Sequence, residues 1–219
     1  MIEAVDLRCE RGERLLFSGL SFSAERGTLL RIAGPNGTGK TSLLRIMCAL
    51  LEPTDGEVRW NGGNVRRLRE DYWKDLVYIG HLNGVKDDLT VRENLRIAVG
   101  LGGRLATEGD LARALDAVGL AGFEDSMARF LSQGQRRRVA LARLYVSGAV
   151  PLWILDEPFT ALDIRGVAAL SALIAGHVGG GGTVVLTTHQ EVPVDAARRK
   201  RVDLGEAAVF AEETKDAVC

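Results

Sequence analysis

The chain has 219 residues, a formal net charge of −1 at pH 7 and 46% hydrophobic residues, enough to bury a full core. Near-neutral charge gives no bulk pull toward nucleic acid, so no direct nucleic-acid partner is expected. No apolar run approaches the roughly 20 residues of a membrane span, and residues 1–9 alternate polar and apolar instead of reading as a signal peptide.

Residues 2–9 and 15–23 read as short β segments, with Gly12 and Gly19 as turn punctuation. The apolar run Leu29-Leu30-Arg31-Ile32-Ala33 reads as a buried strand. It leads into Gly34-Pro35-Asn36-Gly37-Thr38-Gly39-Lys40-Thr41, which fits G-x-x-x-x-G-K-[ST] with an added glycine at Gly37. Behind the loop, Leu43, Leu44, Met47, Leu50 and Leu51 recur at helical spacing. Strand, glycine loop and helix in this order make a phosphate cradle. The glycines let backbone N–H groups converge on phosphate oxygens, and the helix N-terminus adds its positive dipole end. Lys40 is placed to reach the β- and γ-phosphates, and the Thr41 hydroxyl to join a magnesium shell. The implied ligands are a nucleoside triphosphate and Mg²⁺.

Beyond the first helix, Pro53-Thr54-Asp55-Gly56 is a turn, Glu57 to Trp60 a strand and Asn61-Gly62 a hairpin turn. Asp75 to Ile79 reads as another buried strand, ending at Gly80-His81. From about 83 to 146 the pattern turns helical. Thr90 to Glu93 is a capping box opening one helix, which stops near the glycines at 100, 102 and 103. Leu111, Ala114, Leu115 and Val118 form a second amphipathic face. Leu131-Ser132-Gln133-Gly134-Gln135 contains a further capping box. Ser132 is its N-cap, and the helix carries Val139, Leu141, Leu144 and Tyr145. Such a start exposes N–H groups and a hydroxyl, a second phosphate-binding end.

The next strand, Leu152-Trp153-Ile154-Leu155, runs into Asp156-Glu157-Pro158, so two acids stand at the C-terminal end of a buried strand. Open α/β sheets place ligands there. Asp156 is the candidate for Mg²⁺ opposite Thr41, and Glu157 the candidate for orienting and polarising an attacking water. A helix over about 164–178 and a strand from Thr183 to Thr187 follow, ending at Thr188-His189. His189 is a candidate γ-phosphate partner. The four cations Arg198 to Arg201 read as a solvated or membrane-facing surface. Cys9, Cys48 and Cys219 lack ligand or redox spacing, as in a reducing compartment, and receive no role. The expected fold is α/β of the P-loop NTPase type, with an N-terminal antiparallel β segment. One unit spans 1–219, with a helical insertion at 83–146.

Taken together, these motifs resemble the nucleotide-binding subunits of ABC transporters. That family's Leu-Ser-Gly-Gly-Gln signature stands here as Leu131 to Gln135, with Gln133 in place of the first glycine. Ala161-Leu162-Asp163 resembles the family's D-loop, and His189 its switch histidine. The resemblance implies an ATPase that works as a homodimer. Ser132, Gln133, Gly134 and Gln135 then act in trans on ATP held by the partner, and separate integral membrane subunits feel the stroke. A closer resemblance is to the ATP-binding subunit of bacterial cytochrome c maturation (haem exporter) systems. It is carried by residues 17–22, 119–125, 153–163 and 186–190. It implies a peripheral location on the cytoplasmic face of the inner membrane.

Two positions depart from the ABC pattern. The family's adenine-stacking aromatic is missing; counting back from the P-loop reaches Arg11, whose planar guanidinium is a candidate stacking surface. The family's Q-loop glutamine falls on His81, where the haem-exporter subunits also read Gly-His. Three alternatives remain from the residues: a soluble nucleic-acid-associated ABC ATPase, an exporter ATPase for another substrate, and an ATP-binding module without turnover. Glu157 argues against the last.

Overall fold

The structure is a computed structural model that describes residues 1–147, 150–188 and 194–205, with the backbone of 208–213. The chain runs β1 (Ile2–Arg11), β2 (Arg14–Ala24), β3 (Thr28–Ala33), α1 (Lys40–Met47), β4 (Asp55–Trp60), β5 (Gly63–Asn64), α2 (Arg69–Lys74) and β6 (Leu76–Ile79). It continues with α3 (Val91–Leu101), α4 (Glu108–Ala117), α5 (Gln133–Val146), β7 (Leu152–Leu155), α6 (Ile164–Gly179), β8 (Thr183–Thr187), β9 (Arg198–Leu204) and β10 (Ala208–Glu213).

Two sheets result. The N-terminal one is antiparallel, in the order β2-β1-β4-β5. The second has the order β10-β9-β3-β8-β7-β6, parallel except for the edge strand β10. Its central strands are buried along almost their whole length, because both faces are covered. Leu30, Ile32, Leu152, Ile154 and Val185 face α1 and the antiparallel sheet, whereas Leu29, Trp153, Leu155, Val184 and Leu186 face α5 and α6. A third cluster unites α3, α4 and α5 through Val91, Leu95, Leu111, Leu115, Val139 and Ala142.

The helix behind the glycine loop is shorter than its apolar spacing suggests. α1 ends at Met47, and Leu50 lies outside it, half exposed. The short α2, which sequence patterning did not reveal, satisfies the carbonyls left at that end. Tyr72 Oη donates to Met47 O at 2.6 Å and Trp73 Nε1 to Cys48 O at 2.9 Å.

The four-cation run departs from expectation. Arg198 to Arg201 open β9, a strand paired on both sides, and Arg199, Lys200 and Arg201 are half-buried. Two of their guanidinium groups find acceptors: Arg199 at Val194 O, and Arg201 at Asp203 Oδ2, 2.6 Å away.

In the antiparallel sheet, β1 bulges at Asp6 (φ 48°), and Gly56 of β4 (φ 81°) packs directly against it. A Cβ at Gly56 would stand 2.3 Å from Asp6 O and 2.5 Å from Val5 O, both backbone atoms that cannot swing aside. Gly56→Ala should therefore lower stability by about 2 kcal/mol or more, through the left-handed φ and overpacking together. Urea unfolding measures this, and an unchanged midpoint would contradict the close approach.

Candidate functional site

The C-terminal ends of β3, β7 and β8 lie side by side in the parallel sheet, and the loop and acids picked from the sequence meet there. The loop 34–39 turns into α1 through Gly39 in the left-handed region (φ 101°), with Leu16 and Phe17 of β2 pressed against it at 3.1–3.2 Å from a would-be Cβ. Only glycine combines that φ with so close an approach. Lys40 reaches back over the loop, its Nζ donating to Gly34 O at 2.7 Å and Pro35 O at 3.0 Å. Thr38 Oγ1 donates to Pro35 O at 3.0 Å and braces the same turn.

Thr41 and Asp156 are 115 residues apart in sequence, yet Thr41 Oγ1 donates to Asp156 Oδ2 at 2.8 Å. The other carboxylate oxygen accepts from Thr187 Oγ1 at 2.7 Å. Asp156 is 2% exposed, so both hydrogen bonds offset the cost of burying its charge. The Thr187 hydroxyl has a second duty, accepting from the Glu157 N–H at 2.9 Å. Glu157 itself sits at φ 49°, a conformation costing a non-glycine residue about 1–3 kcal/mol.

A buried arginine completes the network. Arg137 of α5 donates from Nη2 to Asp156 O (2.8 Å) and Glu157 O (2.7 Å), and from Nη1 to Gly80 O (3.0 Å) and Asn83 Oδ1 (3.1 Å). Burial pulls its pKa below the ordinary arginine value, while Asp156 and Glu157 pull the other way. His81, between two of these anchor points, is exposed.

Ser132 caps α5 through a full capping box: Gln135 N–H donates to Ser132 Oγ at 3.2 Å, and Ser132 N–H to Gln135 Oε1 at 2.9 Å. Ser132 and Gln133 are exposed, and Gly134 lies 3.1 Å, measured from a would-be Cβ, from Ala161 O. Asp163 caps α6, accepting from Gly166 N–H at 2.7 Å. Among the described residues no hydrogen bond joins Ser132 to Gln135 with the glycine loop. His189 lies outside the described residues.

The family comparison decides the identity. Residues 17–160, which include the glycine loop, the α5 start and both acids, match the ABC transporter family. The chain belongs to the ABC transporter family. It is an ATP-binding cassette of the α/β P-loop class, and such cassettes are ATPases. The cytochrome c biogenesis ATP-binding export protein CcmA of Nitrosospira multiformis is 53% identical over 203 residues, 93% of this chain and 98% of that protein. The protein of the same name from Dechloromonas aromatica is 51% identical over 205 residues, 94% of this chain and all of that one. The solved ATP-binding subunit of an ABC transporter superposes with a TM-score of 0.84 at 26% identity, over 98% of this chain and 90% of that chain. A dimeric ATP-binding cassette bound to ADP and Pi shares the fold, with a TM-score of 0.83 over 97% of this chain and 98% of that chain, at 24% identity.

Thr41 and Asp156 are the residues expected to hold Mg²⁺. One hydroxyl and one carboxylate, 2.8 Å apart, are hard oxygen donors. Mg²⁺ favours such a sparse set, completing its shell with water and substrate phosphate. Thr41 and Asp156 fit the ion.

Three residues beside the expected site residues were not picked out from the sequence. Arg137 and Thr187 have no motif of their own; a period-3.6 or period-2 pattern marks position, not a hydrogen-bond partner. Arg14 was missed for a different reason. The β1–β2 hairpin pairs it with Arg11, and its guanidinium, at 3.6 Å, is within contact of the point where a Gly37 Cβ would stand. Arg14→Ala should therefore weaken ATP binding, by about 0.5–2 kcal/mol, and more than Arg11→Ala does. Calorimetric titration compares the two. A larger effect at Arg11 would favour that residue as the contact, as the sequence suggests.

Proposed function

We propose that this chain is the ATP-hydrolysing cassette of an ABC exporter serving cytochrome c biogenesis. The identity of 53% across 98% of a CcmA protein supports that role. The observation that carries the ATPase chemistry is the meeting of Thr41, Asp156 and Glu157 at the strand ends beside the glycine loop.

In this reading the N–H groups of residues 34–41 and the dipole of α1 hold the phosphates of ATP. Lys40 binds the β- and γ-phosphates, while Thr41 and Asp156 hold Mg²⁺. The bound ion supplies charge neutralisation across the β- and γ-phosphates. Glu157 orients a water in line with the γ-phosphorus and accepts its proton. The water oxygen bonds to phosphorus as the bond to the β–γ bridging oxygen breaks, giving ADP and phosphate. His189 is assigned to the γ-phosphate. Ser132, Gln133, Gly134 and Gln135 are assigned to ATP on a partner copy, which the exposed position of Ser132 and Gln133 allows. Asp163, as N-cap of α6, fixes the loop facing that copy. Residues 83–146 work as a helical subdomain within a single unit spanning 1–219.

No described helix is long and apolar enough to cross a membrane; in this reading force passes to separate membrane subunits. The coupling surface is assigned to the segment from His81 to Thr90. Val85 packs against the helical cluster, whereas Leu82 is 82% exposed, making Leu82 the side chain presented to a partner. Asn94 fastens the segment to α3: Lys86 N–H donates to its Oδ1 at 2.7 Å, and its Nδ2 donates to Lys86 O at 3.0 Å.

Two outcomes test this reading. Glu157→Gln should keep ATP binding, lose on the order of 10²–10⁴-fold in turnover, and accumulate an ATP-dependent dimer on gel filtration. Undiminished hydrolysis would sink the assignment. Leu82→Glu should release the protein from membranes while ATP affinity stays unchanged. Full membrane retention would move the coupling surface elsewhere.

A further inference from the structure

Glu157 is held from both ends of its own residue. Its N–H is fixed by the Thr187 hydroxyl at 2.9 Å, and its carbonyl by Arg137 Nη2 at 2.7 Å. A residue in the left-handed region stays there only when its surroundings over-determine it, and these two bonds do so at φ 49°. Both partners are inside the protein: Thr187 is fully buried and Arg137 is 4% exposed. Neither belongs to a phosphate-binding motif.

Arg137 also joins segments distant in the chain. It stands five residues beyond Ser132 on α5, and its other nitrogen grips Gly80 O and Asn83 Oδ1, on either side of His81. Two more arginines fasten the same helix nearby. Arg136 pairs with Asp87, and Arg143 Nη1 donates to Tyr78 O at 3.2 Å. Of the three, only Arg137 reaches the carbonyls of Asp156 and Glu157. A planar fork can bond two segments at once in fixed geometry, which an ammonium cannot. A rotation of α5 or a shift of the loop at 80–83 must therefore move the Glu157 carbonyl with it.

We propose that Arg137 and Thr187 are positioning residues that clamp Glu157 in its left-handed conformation, and that Arg137 makes the aim of Glu157 depend on the placement of the signature helix and the His81 loop. The proposal rests on the reading of Glu157 as the water-orienting base.

The test combines isosteric and conservative variants with separate readouts. Thr187→Val, which keeps shape and removes the hydroxyl, should lower kcat on the order of 10–100-fold, as outer-shell losses do, and Thr187→Ser should restore it. The loss should persist at saturating Mg²⁺, since Glu157 is the affected group. Arg137→Met should lower kcat with KM and ATP affinity nearly unchanged, and Arg137→Lys should recover only part of it. In a Glu157→Gln background, adding Arg137→Met should cost no further rate and should leave the ATP-dependent dimer intact. Normal kcat in both Thr187→Val and Arg137→Met would overturn the proposal. So would loss of ATP binding in step with kcat, or full recovery of Thr187→Val by excess Mg²⁺. Should Arg137→Met fail to fold, Thr187→Val and Arg137→Lys decide the matter by the same criteria. If Glu157→Gln alone turns over normally, the reading of Glu157 fails first; if it is inactive while the others are normal, only the clamp fails.

Discussion

A carboxylate with almost no exposure to water has to be held by its neighbours, and the Asp156 side chain organises the surrounding fold on that account. Its two oxygens are taken by hydroxyls from different elements, Thr41 at the start of α1 and Thr187 at the end of β8. Losing either would leave a buried acceptor unsatisfied, at a cost of about 1–3 kcal/mol or more for a charged group. The bonds therefore fix the phosphate loop, the acidic strand and the following strand in one register. The same geometry brings a hydroxyl and a carboxylate to one place, a pair of hard oxygen donors that would suit Mg²⁺. Stability and chemistry thus draw on the same contacts.

The sheet makes this possible. Because β3, β7 and β8 are parallel, their C-terminal ends stand at one edge. Whatever follows each strand is delivered to the same place: the glycine loop after β3, the acids after β7, and Thr187 closing β8. Cover on both faces keeps those ends rigid, with α1 and the antiparallel sheet on one side and α5 and α6 on the other. The α5 arginines then tie the third, helical cluster to the site. A movement of those helices is felt at Glu157 through hydrogen bonds and not through a flexible linker.

Much of this was legible in the residues. Leu29 to Ala33 and Leu152 to Leu155 are short apolar runs ending in chemistry, and both are the buried strands they resemble. The capping boxes at Thr90 and Ser132 form as spelled, because they depend on neighbours three residues away. What stayed hidden depended on partners distant in the chain. β9 begins with four cations in a strand paired on both sides, a place hydropathy does not register. Arg137 looks like one more charge in a helix carrying Arg136 and Arg138, until the two acids after β7 supply carbonyls for it. Arg14, paired with Arg11 across the hairpin, comes near Gly37 only because the strands fold back on each other.

Complementation joins the geometry to the proposed role. A strain lacking its own haem-exporter ATP-binding protein is given either this chain or its Lys40→Ala variant, at matched levels in the membrane. Covalent haem in c-type cytochromes is then measured on denaturing gels. The account predicts that the wild-type chain restores haem staining and that Lys40→Ala, which cannot grip the ATP phosphates, does not. Equal staining with both, or none with the wild-type chain although it reaches the membrane, would contradict it.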